Sequence, residues 1–150
     1  QYDKALENTR KVLELDPDFI SVFRLRSLVL TEQGKYEEAL IENSRWGELT
    51  ANILKTKLAR GYILAAYGKH QEALSIAKEL QQNEKFGSND YRSMGLIYTA
   101  LGNHDTAFHW LELSYLHREE SLCSLKVDPK LDRLRDDPRF NDLIRKIGLV

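Results

Sequence analysis

The side chains best suited to metal binding or nucleophilic catalysis are four histidines and one cysteine. His109 and His117 lie too far apart on a predicted helix to bind one metal ion from adjacent turns, and no HExxH pattern is present. The single cysteine, Cys123, cannot complete a zinc site of cysteines and histidines or an internal disulfide. It would act as a nucleophile only beside a base and an orienting group, so we expect a small buried residue instead. The sequence therefore predicts no metal site and no cofactor.

Paired carboxylates are the remaining candidates for acid–base chemistry. Glu37 and Glu38, and likewise Glu119 and Glu120, fall on predicted second helices or at helix ends, where we expect solvated charges. Acid–base catalysis needs such a pair in a cleft that separates the two pKa values. No glycine-rich phosphate-binding pattern occurs in the chain either. The sequence therefore predicts no catalytic residues and no enzymatic activity.

Composition sets further bounds on function. The 150 residues carry 22 basic and 23 acidic side chains, so the formal net charge is −1. This balance gives no general electrostatic basis for binding nucleic acid or an anionic membrane. No apolar run approaches the roughly 20 residues that a membrane-spanning helix needs. We expect a soluble, cytoplasmic domain, although residue 1 is glutamine, so a signal peptide could precede it. Because the chain opens inside the repeat described next, we expect it to belong to a longer protein.

A regular repeat organises the chain. Alanines at positions 5, 39, 73 and 107 are separated by three intervals of 34, and glycines at 34, 68 and 102 by two more. An aromatic residue or histidine stands three positions before each alanine, at Tyr2, Tyr36, His70 and His104, and we expect these side chains to be structural. Self-similarity at such a period is the signature of stacked structural units.

The residue pattern within each unit predicts two helices. Residues 21–33, 55–67 and 89–101 contain no proline, are rich in helix formers and are each followed by a turn glycine. A second helix is expected after each glycine, its alanine facing the first helix, because a small side chain lets two backbones approach closely. Trp46 and Trp110 fall on these second helices, and we expect them to pack between units. One hairpin cannot bury its apolar face alone, so its neighbours must supply the core.

The period and the turn pattern resemble the tetratricopeptide repeat family. The glycine–x–aromatic–x–x–alanine turn, Pro17 at the end of the first unit, and Gly61 and Gly95 in the first helices match that family's pattern. Ser27 replaces the corresponding glycine in the first full repeat, and the later closing prolines are absent. The resemblance implies an all-α, right-handed superhelical solenoid of antiparallel helix pairs.

The resemblance also divides the chain. It implies a partial repeat at residues 1–19, full repeats at 20–53, 54–87 and 88–121, and a capping segment at 122–150. Within the capping segment, Asp128-Pro129 and Asp137-Pro138 each predict a side-chain cap followed by proline at the first helical position. The second pair is expected to begin an amphipathic helix that ends at Gly148 and covers the last apolar face of the solenoid.

In the family, the first helices of successive repeats line a concave surface, and the resemblance implies which residues here would face a partner. Leucine and tyrosine form an apolar row that basic side chains border, which favours docking of a peptide or helix carrying apolar and acidic residues. Alternatively, the leucines pack between neighbouring helices and the arginines are solvated charges. The predicted peptide-binding groove consists of Arg24, Leu28, Thr31, Lys55, Leu58, Tyr62, Ala65, Asn89, Arg92, Leu96 and Thr99.

Two functions are compatible with these features. We predict a non-catalytic scaffold or adaptor that binds a protein partner in this groove. The alternative is a regulatory or self-association module of a larger bacterial signalling protein or transcription factor. Some family members hold a partner's C-terminal carboxylate with a basic residue and an asparagine. Leu28, Tyr62 and Leu96 stand at the asparagine position here, so we expect no such clamp.

Overall fold

A computed structural model describes residues 2–149, and these residues form helices and turns without a strand. The α-helices, in chain order, are α1 (Tyr2–Leu15), α2 (Ile20–Glu32), α3 (Tyr36–Leu49), α4 (Ile53–Ala66), α5 (His70–Gln81), α6 (Tyr91–Ala100), α7 (His104–Leu116) and α8 (Pro138–Ile147). Two short 3-10 helices, Glu120–Ser124 and Pro129–Leu134, lie between α7 and α8. The prediction of an all-α chain is confirmed.

Consecutive helices pack in pairs, α2 with α3, α4 with α5, and α6 with α7. The turns inside the pairs place Gly34, Gly68 and Gly102 at φ values of 74°, 85° and 77°, the left-handed region that side chains disfavour. The three predicted first helices correspond to α2, α4 and α6, with ends displaced by one or two residues. The repeated glycines therefore end the helices as the sequence predicts.

Small side chains let the helices approach one another closely. Ala39, Ala73 and Ala107 are each 0% exposed at the hairpin crossings. A Cβ atom added to Gly61 would lie 2.9 Å from Ile97 Cδ1, and one added to Gly95 would lie 3.0 Å from Leu111 Cγ. Gly61 therefore sets the spacing between α4 and α6, and Gly95 sets the spacing between α6 and α7.

The main hydrophobic core runs from α4 to α8 and includes the capping segment. Leu131 and Leu134 of the second 3-10 helix and Leu143 of α8 are fully buried in it. Both predicted caps are present, because Asp128 accepts a hydrogen bond from the Lys130 amide and Asp137 accepts one from the Arg139 amide, each at 3.0 Å. The first cap begins a 3-10 helix and the second begins α8, which ends at Gly148 with φ of 81°.

Two sequence predictions about individual residues are wrong. Cys123 is exposed, because Leu122 of the first 3-10 helix and Leu125, which directly follows that helix, take the core-facing positions three residues apart and turn Cys123 outward. Glu119 is only 8% exposed. Its carboxylate accepts hydrogen bonds from the Tyr91 amide at 2.9 Å and from the Arg92 amide at 3.2 Å, so it caps the start of α6 instead of facing solvent.

Trp46 and Trp110 are both buried, and Trp110 packs beside the rings of Phe86 and Tyr91. No helix within residues 2–149 combines the length and the apolar character needed to cross a bilayer.

Candidate functional site

A cavity of about 520 Å³, which we call the groove, opens between α2, α4, α6 and the capping segment. Its size falls within the range of about 300–1,000 Å³ that is common for ligand-binding sites. The groove is lined by Arg24 and Leu28 of α2, Trp46 of α3, Thr50 and Asn52 of the next turn, Lys55, Leu58, Ala59 and Tyr62 of α4, Arg92, Ser93 and Leu96 of α6, and Asp128 and Lys130 of the capping segment.

The apolar lining of the groove comes from three successive first helices. Leu28 and Tyr62 are half-buried and Leu96 is 7% exposed, so they form a floor instead of a freely exposed row. Burial of the Tyr62 phenol raises its pKa above the ordinary value, and the nearby carboxylates of Glu32 and Asp128 raise it further. Tyr62 therefore presents a neutral hydroxyl group together with an aromatic ring to the groove.

The structure brings together seven of the eleven residues that the sequence predicts for this site. They are Arg24, Leu28, Lys55, Leu58, Tyr62, Arg92 and Leu96. All seven belong to first helices, and they lie near one another because neighbouring hairpins stack side by side.

The other four predicted residues do not line the groove. Thr31, Ala65 and Thr99 are buried, and both threonine hydroxyls donate to backbone carbonyls one turn earlier in their own helices. They are therefore core residues that expose too little surface to contact a partner. Asn89 is exposed and precedes α6, where its carbonyl accepts a hydrogen bond from Lys55 Nζ at 2.7 Å.

Most of the basic side chains around the groove already have acidic partners. Lys55 Nζ lies 2.7 Å from the carboxylate of Asp90, which is buried at the start of α6. Arg92 forms an ion pair with Asp128, and their side chains are only 16% and 9% exposed. Arg24 is exposed and has no ion-pair partner among residues 2–149.

The capping segment supplies two groove residues that the sequence analysis does not include. Besides Asp128, Lys130 extends into the groove, where its Nζ lies 3.5 Å from Glu32 of α2 and 5.8 Å from the centre of the Tyr62 ring. This segment therefore contacts residues of α2, α4 and α6. The Asp-Pro step predicts a helix cap at this point, and nothing in its local pattern indicates which helices it would meet.

Within residues 2–149, no group of three or more histidine, cysteine or acidic side chains is arranged so that it could hold a metal ion. Comparison with models of known protein families found no match, and comparison with curated proteins found no significant relative.

Proposed function

We propose that this chain is a tetratricopeptide-type solenoid, coiled as a right-handed superhelix, that binds a peptide or helix of a protein partner in the groove. The proposal includes the adaptor role expected from the sequence and no catalytic chemistry. The observation that carries it is the groove itself, where apolar side chains from α2, α4 and α6 meet four cations. Three of them are paired, and the fourth, Arg24, has no ion-pair partner in the part of the chain that the structure describes.

The chemistry of this surface suits a protein segment. Aromatic and arginine side chains are the residues that most often dominate binding at protein interfaces, and Tyr62, Arg24 and Arg92 lie at one site here. An extended or helical segment could place apolar side chains over Leu28 and Leu96 while its acidic groups meet the arginines. The 34-residue register supports the repeat assignment, since it places equivalent helix positions at the same site three times.

Affinity capture with the intact protein tests this function. The variant Arg24→Glu with Leu28→Ser changes an exposed cation and a half-buried side chain of the groove, both of which the core tolerates better than the fully buried residues. Each lost anchor should cost about 1–3 kcal/mol of binding free energy. We expect the captured partner to be lost from this variant.

The matched control is Lys78→Glu, the same charge reversal at an exposed lysine of α5 outside the groove. Circular dichroism melting curves establish that both variants remain folded. Retention of the same partners by the groove variant, at the same yield as the control, would discard the proposed function.

A regulatory or self-association role is the second candidate, and exposed apolar side chains near the α1–α2 turn favour it. Leu15 is 89% exposed, and Phe19 and Ile20, which follow in the chain, are 46% and 40% exposed. Apolar clusters of this kind often mark surfaces that contact another chain. Sedimentation over a range of protein concentrations tests the self-association role. Leu15→Lys should abolish a concentration-dependent dimer, whereas a wild-type monomer at every concentration excludes self-association.

A further inference from the structure

We infer that the partner carries a carboxylate that replaces Asp128 on Arg92, so that Asp128 competes with the partner for this guanidinium group. The inference rests on the proposed function, because it names the chemistry of the segment that the groove binds and how the chain regulates that binding. Three observations lead to it: the charge balance of the groove, the incomplete hydrogen bonding of Arg92, and the separate anchoring of the Asp128 backbone.

The charge balance selects an acidic partner. Four cations line the groove, and three of them pair with Asp90, Asp128 and Glu32. Four positive charges against three negative ones leave one excess positive charge, which lies at Arg24. When the Asp128 carboxylate moves away from Arg92, the excess positive charge at the groove rises from one to two. A segment with two or more carboxylates near apolar residues therefore complements this surface, and a basic segment does not.

Asp128 leaves part of Arg92 without a hydrogen bond. The carboxylate meets Arg92 at Nη2, whereas the buried Nε has no acceptor among the described residues. A guanidinium group binds a carboxylate most strongly when two parallel hydrogen bonds form. Once Asp128 has moved away from Nη2, a carboxylate that takes its place at the edge formed by Nε and Nη2 would make both bonds. An incoming acidic group can therefore gain a hydrogen bond that Asp128 does not make.

The turn around Asp128 does not depend on the ion pair alone. The Asp128 carbonyl accepts a hydrogen bond from Arg135 Nη2 at 3.2 Å, and Arg135 also donates to the Lys126 carbonyl at 2.6 Å. Leu125 and Leu131, on either side of the turn, are fully buried. When the Asp128 side chain rotates away from Arg92 it also gives up the hydrogen bond from the Lys130 amide, but Arg135 and the two buried leucines still hold the backbone. Exchange of carboxylates therefore needs no unfolding of the capping segment.

Binding of immobilised peptides to the intact protein tests the inference. The probes are short peptides of equal length and equal leucine and phenylalanine content, whose other residues run from all glutamate through glutamine to all lysine. Asp128→Asn removes the competing charge, and asparagine can still cap the 3-10 helix. We expect wild type to prefer the acidic peptides, and Asp128→Asn to bind them about three- to tenfold more tightly. In the Arg92→Gln background the Asp128→Asn change should have no further effect.

The matched control is Asp137→Asn, which changes the same residue type at the other Asp-Pro cap and alters the net charge equally, outside the groove. If Asp128→Asn and Asp137→Asn increase the affinity for acidic peptides equally, the competition between Asp128 and the partner is overturned, because the effect would then reflect only the overall charge. Equal binding of acidic, neutral and basic peptides would overturn the acidic partner but leave groove binding intact if Arg24→Glu with Leu28→Ser weakens all of them. If no peptide binding is sensitive to that groove variant, the proposed function itself is overturned.

Discussion

The two Asp-Pro steps of the capping segment have the same local geometry and different partners. In each, the aspartate accepts a hydrogen bond at 3.0 Å from the amide two residues later, and proline takes the first helical position. Asp137 also pairs with Arg139, two residues away, at 2.7 Å. Asp128 pairs instead with Arg92, 36 residues away on α6. One dipeptide thus makes a local contact in one place and a tertiary contact across the groove in the other.

This difference shows what a short motif can determine. The cap depends only on neighbouring residues, so it forms at both positions. The second oxygen of each carboxylate binds whichever cation the surroundings supply, and for Asp128 the stacking of α6 against the capping segment supplies it. The Asp128–Arg92 pair therefore joins the capping segment to α6 across the groove. The Asp137–Arg139 pair lies within the first turn of α8, where Arg139 also reaches Asp105 of α7 at 2.8 Å.

The largest effect on stability is expected from a substitution in the core next to Asp128-Pro129, the first of the two Asp-Pro steps. Leu131→Ala removes a fully buried side chain from the second 3-10 helix and should lower the free energy of unfolding by about 2–5 kcal/mol. Urea denaturation measures this change, with Leu143→Ala in α8 as the matched substitution. If only Leu143→Ala destabilises the protein, the 3-10 helix is not part of the cooperative core.

A smaller effect is expected from the two carboxylates. Asp128→Ala removes the cap and leaves the mostly buried Arg92 without its ion pair, which should cost about 2–3 kcal/mol of unfolding free energy. Asp128→Asn preserves the cap and should cost less. Asp137→Ala should have a weaker effect than Asp128→Ala, because Arg139 is exposed and solvent screens its charge. If thermal melts show that Asp128→Ala and Asp137→Ala lose equal stability, the two Asp-Pro steps do not differ in the way proposed here.

The smallest effect concerns acid stability. Hydrogen bonds from Arg139 lower the pKa of Asp137 from 3.8 to about 2. A lowered pKa in the folded state stabilises the protein above pH 3.8, and this contribution disappears as the pH falls towards 2. Asp137→Asn should therefore be less stable than wild type at neutral pH and approach wild type at the acid end. Denaturant titrations of both proteins across this range test the prediction, and a constant difference would contradict it.

The sequence predicts the helices well because their signals are local. Gly34, Gly68 and Gly102 mark helix ends through their backbone conformation, and Ala39 marks a close crossing through its size. The groove is predicted in part. The first helices supply Arg24, Leu28 and Tyr62 as expected, whereas the polar Thr31 and Thr99 are buried because their hydroxyls satisfy carbonyls of their own helices.

The two residues that the sequence analysis misplaces differ in cause: one depends on a contact distant along the chain and the other on the type of helix that forms. Glu119 caps α6 by accepting from an amide 28 residues earlier, and no local pattern distinguishes it from the exposed Glu120. Cys123 follows the three-residue period of a 3-10 helix, which turns it away from the core.

By itself, the sequence determined the register of the helix pairs, the turns that end them and the two caps of the terminal segment, because each depends on the backbone preferences of a few adjacent residues. The tertiary structure alone decided that Asp128 meets Arg92 and that Lys130 meets Glu32. Those pairs form only after the hairpins have stacked and the capping segment has packed against them. The two members of each pair are distant in sequence, and burial of the hydrophobic core is what brings them together.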